Sequence, residues 1–169
     1  MPKVEVRKAR KDYPNSGIKA GDTYYYTKLK LQRGGQIKRS LKPFKPSQLT
    51  NSPFKSGWLA VQEDWDAGDK DAEAIRAAAE AMTSLGEEAR GSFDNMPEGL
   101  QQGETGQLLE TRADSCDDAA ATLDALADEL EALEKPGEEP VDLDYDLEYD
   151  SEIERIQGEV DAAMEDMPE

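Results

Sequence analysis

The sequence predicts an α+β protein: a small basic β-hairpin or meander module, then a long, coiled-coil-like antiparallel hairpin of two helices, and an acidic C-terminal segment. Three observations predict this order. Apolar spacing changes from period two to heptad near residue 50, stretches rich in proline and glycine separate the segments, and the charge changes sign along the chain. The predicted domains are residues 1–50, 51–135 and 136–169.

Charge is distributed very unevenly along the chain. Residues 1–56 contain 14 Lys and Arg against 3 Asp and Glu, a balance of +11. Residues 57–169 contain 6 against 35, a balance of −29. Separation this strong indicates that the two parts of the chain bind different partners, or bind each other.

The sequence pattern of the basic module predicts β structure. A candidate strand at Lys3–Arg10 is followed by a turn-rich stretch and then by TYYYTKLKLQ and QIKRSL, which flank Arg33-Gly34-Gly35 as in a β-hairpin. A three-residue loop would pair Gln32 with Gln36 and place Leu31 opposite Ile37.

That register would place Thr27 and Leu41 together on the apolar face. The opposite face, called the Tyr/Lys face below, would carry aromatic rings between lysines, a pattern typical of single-strand nucleic-acid binding surfaces. A solvated sheet face has the same composition, so that interpretation stays open. The Tyr/Lys face consists of Tyr24, Tyr26, Lys28, Lys30, Lys38 and Lys42.

Heptad spacing predicts the two helices. Positions from Phe54 to Phe93 step alternately by four and three without a polar residue, which favours one helix over 52–93. Pro97 and three glycines end it, and a second apolar row predicts a helix over 104–134. The short connection makes the pair antiparallel, with leucines of the second helix facing the small residues of Gly68–Ala79.

Four large apolar residues lie near the start of the first helix, beyond the reach of the second. They must be buried against the β module, against the last helix or against another chain, and the last option would make the protein a structural homo-oligomer. These candidate interface residues are Phe54, Trp58, Val61 and Trp65.

The stretch VDLDYDLEYD, residues 141–150, alternates apolar and acidic residues. Period-two alternation predicts an extended ribbon with one apolar and one anionic edge, and the capping-box pattern of Ser151 and Glu154 predicts a short helix over 151–167. A disordered acidic tail is the alternative. The predicted partner-binding residues are Asp142, Asp144, Tyr145, Asp146, Glu148, Tyr149 and Asp150.

Catalysis and metal binding are disfavoured by composition. The chain has no histidine, and its single cysteine, Cys116, is predicted to be a small buried apolar residue. Three ribbon aspartates match the first ligands of an EF-hand, but Leu147 and Ile153 stand where glycine and glutamate are needed. We therefore expect no catalytic residues, no metal and no cofactor.

Localisation follows from similar absences. No run of 18 apolar residues is present, and the first ten residues do not have the pattern of a signal peptide. The sequence thus predicts an intracellular protein that does not bind a membrane.

Two stretches, Lys8–Thr50 and Ser92–Cys116, resemble uncharacterised proteins of tailed bacteriophages. The shared motifs are a basic G-I-K-x-G-D-x-Y-Y module at Gly17–Tyr25 and an N-M-P-E-G-L-Q-Q-G-x-T-G-Q-L-L-E turn at Asn95–Glu110. The resemblance implies a phage protein acting in the cytoplasm of the host bacterium and implies no activity. The module is also similar to small zinc ribbons, but residues 1–50 contain neither Cys nor His.

Two main hypotheses follow, and a structural or virion-associated homo-oligomer is the third. The first is a non-enzymatic protein that binds a host or defence protein, with the acidic C-terminal half mimicking nucleic acid. The second is a nucleic-acid-binding protein that uses the Tyr/Lys face and whose acidic tail acts as an autoinhibitory lid. Deletion of residues 136–169 would raise nucleic-acid affinity only under the second hypothesis.

Overall fold

The computed structural model describes residues 2–31, 34–133, 143–165 and 168, with the backbone alone for residues 31 and 143–146. The chain divides into two compact units, which we call unit 1 (residues 1–60) and unit 2 (residues 61–169). Unit 1 contains a three-stranded antiparallel sheet and unit 2 is helical. The predicted α+β class is confirmed.

The sheet of unit 1 has the strand order β1-β2-β3, with β1 at Val4–Lys8, β2 at Thr23–Leu31 and β3 at Gly34–Ser40. Single 3-10 turns at Pro14–Ser16 and Pro46–Leu49 precede α1, which spans Pro53–Ala67. Period-two alternation of apolar and polar residues along β2 gives the sheet one buried face and one that is largely exposed.

The predicted hairpin register is wrong. Leu31 pairs with Gly34 and Lys28 with Ile37, so β2 and β3 are joined by residues 32–33, and these two lie outside the described residues. Gly34 has a φ of 111°, which only glycine adopts without strain, and this allows β3 to begin directly after a two-residue loop. The observed register places Lys38 and Gln36 opposite the buried Thr27 and Leu29, and it puts Ile37 on the open face opposite Lys28.

Unit 2 is built around an antiparallel helix pair. Helix α2 spans Ala72–Asp94, the one-turn helix α3 spans Glu98–Gln101, and α4 spans Glu104–Ala132. Arg90 near the end of α2 pairs with Asp117, whereas Arg76 near its start pairs with Glu131. The predicted antiparallel hairpin is therefore confirmed, with the leucine-rich end of α4 against the start of α2.

The single predicted helix over 52–93 is instead two helices. Gly68 follows the last residue of α1, Lys70 has a positive φ of 53°, and Asp71 caps α2 by accepting a hydrogen bond from the Ala74 backbone N–H at 2.8 Å. An aspartate that accepts from the third residue after it is a strong helix start. The heptad spacing of apolar residues continues across this break, which is why the sequence predicted a single helix.

The acidic ribbon predicted at 141–150 is also wrong where the structure describes it. Helix α5 spans Leu143–Glu165, so the predicted helix over 151–167 begins eight residues earlier. Ile156, Val160 and Met164 are buried on one face of α5, whereas Leu147 is largely exposed. Residues 136–142, including Asp142, and Met167 lie outside the described residues.

The seam between α2 and α4 depends on small residues. A Cβ added at Gly86 would lie 3.1 Å from the Cβ of Cys116, so glycine is what allows the helices to approach here. Cys116 is fully buried, as predicted. Burial raises the pKa of its thiol to about 11, despite the opposing charge of Arg90.

We expect the Cys116 thiol to be inert in the native protein. At pH 8 a disulfide reagent such as DTNB should react with folded protein far more slowly than with protein unfolded in urea, because the thiolate is the reactive form. Because burial disfavours the thiolate, the free energy of unfolding keeps this contribution below pH 9 and loses it as the pH rises towards 11. Rapid stoichiometric labelling of the folded chain would contradict this burial.

Candidate functional site

The most regular charged surface of unit 2 lies on α4. Its members are three, four or seven residues apart, so they share one side of the helix over about 31 Å at 1.5 Å per residue. All six are exposed. This set, called the carboxylate row below, consists of Glu110, Asp114, Asp117, Asp124, Asp128 and Glu131.

Two arginines of α2 neutralise part of the carboxylate row. Arg90 pairs with Asp117. Arg76 donates to Asp128 at 2.7 Å and to Glu131 at 3.1 Å, and the hydrogen bond to Glu131 contributes most to raising the pKa of Arg76. Within the part of the chain that the structure describes, the other three members, Glu110, Asp114 and Asp124, have no cationic partner.

A third arginine links α5 to α4. Arg155 donates to Glu152 at 2.6 Å and to Glu159 at 2.5 Å, both on its own helix, and it pairs with Glu129 of α4. The bond to Arg155 holds the pKa of Glu152 below its usual range. Ion pairs between helices thus involve Arg76, Arg90 and Arg155. The outer surface of unit 2 therefore stays anionic.

The predicted partner-binding residues of the ribbon do not form one edge. Residues 144, 146, 148 and 150 fall on a helix, where a step of two residues turns each side chain by about 200° around the axis. Glu148 and Asp150 are exposed and Tyr149 is half-buried. For Asp144, Tyr145 and Asp146 the structure describes the backbone only, and Asp142 lies outside it.

Sequence reasoning missed the carboxylate row because it concentrated on the ribbon. A signal was present, since Glu110, Asp117, Asp124 and Glu131 recur every seven residues. A heptad of acids on a predicted helix marks one solvated side. The surrounding abundance of acidic residues concealed the repeat.

In unit 1, cations and aromatic rings alternate along one face of the sheet. The guanidinium of Arg7 lies 3.7 Å from the ring centre of Tyr26, and that of Arg39 lies 4.5 Å from Tyr13 and 6.0 Å from Tyr26. Pairing of Tyr26 with Arg39 across β2 and β3 places both on this face. We call Arg7, Tyr26, Arg39 and Tyr13 the Arg/Tyr stack.

The predicted Tyr/Lys face is only partly correct. Tyr24 is 4% exposed and packs with Ala9 and Ile18, so it offers no ring for stacking. Lys38 lies on the opposite face, opposite Thr27, and its Nζ donates to the Gln48 carbonyl at 2.8 Å. Lys28 and Lys30 are exposed on the same face as Tyr26.

Two further residues complete that comparison. Lys42 is exposed but follows the last residue of β3, so it is outside the strands. Sequence reasoning missed Arg39, because only the observed register places it opposite Tyr26. It also missed Arg7, which pairs with Tyr24 in the β1-β2 ladder.

The candidate interface on α1 is not an exposed surface. Phe54, Trp58, Val61 and Trp65 are all buried within the chain. Trp65 donates through Nε1 to Asp161 of α5 at 2.6 Å, and Lys70 lies 5.2 Å from its ring centre. The apolar area that motivated a homo-oligomer is therefore already covered.

Metal and membrane sites are not seen in the described part of the chain. No group of His, Cys, Asp and Glu there is arranged to hold a metal ion. None of its helices is both long and apolar enough to cross a membrane.

The chain matches no protein-family model, no curated protein and no solved structure. The carboxylate row and the Arg/Tyr stack are the two candidate binding surfaces of the described residues.

Proposed function

We propose that this chain is a non-enzymatic, phage-encoded binding protein whose acidic helical unit engages a basic surface of a host or defence protein in the bacterial cytoplasm. The observation that carries the proposal is the carboxylate row, a linear anionic surface in which three of six members have no cationic partner among the described residues. The row replaces the ribbon as the binding surface.

The distribution of charge between the units supports a recognition role. Residues 57–60 carry no charge, so the balances of +11 and −29 are also those of units 1 and 2. Solubility alone requires a net charge but does not require its separation into folded units of opposite sign. A separated anionic unit attracts basic protein surfaces at long range.

The carboxylate row is linear and anionic, as is the phosphate backbone of a nucleic-acid strand. A row of about 31 Å corresponds to about nine base pairs of duplex at 3.4 Å per phosphate on one strand. A protein that binds DNA through its phosphates would meet anions in a similar linear order. The proposed partner is therefore a basic nucleic-acid-binding protein, and duplex DNA should compete with this chain for it.

Neutralising the unpaired part of the row tests the proposal. The row variant combines Glu110→Gln, Asp114→Asn and Asp124→Asn in the full-length chain, and the matched control combines Glu80→Gln, Glu87→Gln and Glu88→Gln at exposed positions of α2. Tagged proteins are incubated with bacterial lysate at low salt, and bound proteins are released with a 12-base-pair duplex.

We expect the wild type and the control to retain a protein that the duplex displaces. The row variant should retain about tenfold less of it, because loss of electrostatic steering slows association with a basic partner. Equal retention by row variant and control, or capture that duplex DNA does not affect, would contradict the proposal.

A further inference from the structure

The open face of the unit 1 sheet has a second, separate chemistry. The Arg7 side chain is 44% exposed while its inner side lies against Tyr26, so the outer surface of a planar cation faces solvent. Arg39 lies between the rings of Tyr13 and Tyr26, and its Nε is buried without a hydrogen-bond partner among the described residues. A buried polar atom without a partner calls for an explanation, and an anionic ligand that reaches the guanidinium is one.

The acids of unit 1 neutralise only part of this face. Glu5 bonds to Arg7 at 2.6 Å and is the one acid on the face. Asp12 accepts from the Ala20 N–H and Asp22 from the Lys19 N–H, so both are used within the turn-rich loop. Lys28 and Lys30, on the same face, have no acidic partner among the described residues.

A groove lies beside the Arg/Tyr stack. It has a volume of about 680 Å³ and is lined by Arg7, Lys8, Ala9, Arg10, Tyr13 and Tyr24. Grooves of 300 to 1,000 Å³ are of the size that holds one small-molecule ligand, which includes a single nucleotide. Three cations at its rim suit a phosphate, and the stack beside it suits a base.

Planar groups favour single strands over duplex. Bases stack on aromatic rings or on guanidinium planes only when they are unpaired, whereas a duplex offers its phosphates alone to a flat sheet. Arg7 provides such a plane, and Lys28 and Lys30 project from the same face as Tyr26 to meet phosphates.

We infer that this face binds single-stranded nucleic acid, with a base stacked on Arg7, a phosphate in the groove beside Arg10, and further phosphates at Lys28 and Lys30. This site is independent of the carboxylate row and goes beyond the function proposed for unit 2. Recognition would be sequence-tolerant, because stacking and phosphate contacts are shared by all bases.

The test measures binding of full-length protein to a fluorescent 12-nucleotide single strand by anisotropy between 0.05 and 0.2 M salt. A double variant, Lys28→Gln with Lys30→Gln, should lower affinity about 20-fold at 0.1 M salt and reduce the salt slope by about 1.4, since each lost phosphate contact contributes about 0.7. Arg7→Lys should keep the slope but lower affinity at least about fivefold through lost stacking.

The matched control is Lys19→Gln with Lys42→Gln, which changes the charge equally at exposed positions outside the strands. It should bind as wild type. Equal losses in the control and the face variant, or no binding of the single strand at 0.05 M salt, would overturn the inference. Tighter binding to a 12-base-pair duplex than to the strand would overturn its preference for unpaired bases.

All these variants keep α5 in place. Deletion of residues 136–169 would remove Asp161 from Trp65 and uncover the α4 surface, so a change in affinity after deletion would not isolate a lid. Circular dichroism of each point variant confirms that the sheet is intact.

Discussion

Gly106→Ala is expected to lower the free energy of unfolding by about 3 kcal/mol, within the upper range for overpacking. Gly106 is buried in the first turn of α4, and a Cβ at this position would overlap the carbonyl oxygen of Gln101. Because that oxygen belongs to the backbone, relief requires α3 and α4 to move apart. Urea unfolding followed by circular dichroism measures the loss.

Gly99→Ala is the matched control, because Gly99 and Gly106 both lie in the motif Asn95–Glu110. Nothing lies within 4 Å of an added Cβ at Gly99, so we expect a change within about 0.5 kcal/mol. Equal effects of the two substitutions would mean that the close approach of α3 to α4 is not what fixes this turn. The specific polar motif at Asn95–Glu110 would then need another explanation than chain geometry.

Ile156→Asp is expected to undock α5 at a cost of about 3–5 kcal/mol, because it leaves a carboxylate uncompensated in a buried position. Ile156 is fully buried, and α5 packs on α4 around it. Hydrogen exchange of the α5 amides should become fast while α2 and α4 stay protected, because their seam does not need α5.

Ala162→Asp introduces the same charge at an exposed position of α5 and should leave exchange unchanged. Slow exchange in both variants would show that α5 does not depend on this apolar face. Fast exchange of α5 in the wild type would instead support the disordered-tail alternative.

Local sequence patterns predicted the helical hairpin well. Heptad spacing and alternation of large and small residues fixed α4 and its antiparallel packing, because Cys116, Leu123 and Leu126 can be buried only against a helix with small residues. The break before α2 was missed because Asp71, a strong N-cap, lies within an unbroken heptad row. A cap signal competes with periodicity, and here the cap determined the structure.

The prediction of an extended ribbon was wrong for a related reason. In VDLDYDLEYD, Leu143 and Leu147 are four residues apart, as are Tyr145 and Tyr149, so the same letters fit both period two and a helix. Continuation into a helix with buried Ile156 and Val160 decided between the two periods. A ten-residue segment does not contain that information.

The Tyr/Lys face depended on register, which the sequence left ambiguous. In the observed register Arg39 lies on the same face of the sheet as Tyr26, whereas the predicted register placed Lys38 on that face. Contacts with residues distant in sequence accompany the observed pairing: Lys38 donates through Nζ to the Gln48 carbonyl at 2.8 Å, and Asn51 donates through Nδ2 to the Lys30 carbonyl at 2.5 Å. The charge balance needed no structure, because it is a property of composition.

The most direct test of the account measures both binding activities on both charge variants. The central claim is that the two units carry separate recognition surfaces of opposite sign. We predict that the row variant loses the protein partner that DNA displaces and keeps its affinity for the single strand. The variant Lys28→Gln with Lys30→Gln should keep that protein partner and lose affinity for the single strand. If neutralising the row raises the affinity for the single strand as strongly as it lowers retention of the protein partner, net charge rather than two surfaces governs binding, and the account is wrong. The account is also wrong if either variant weakens both activities, because the two surfaces would then not be separate.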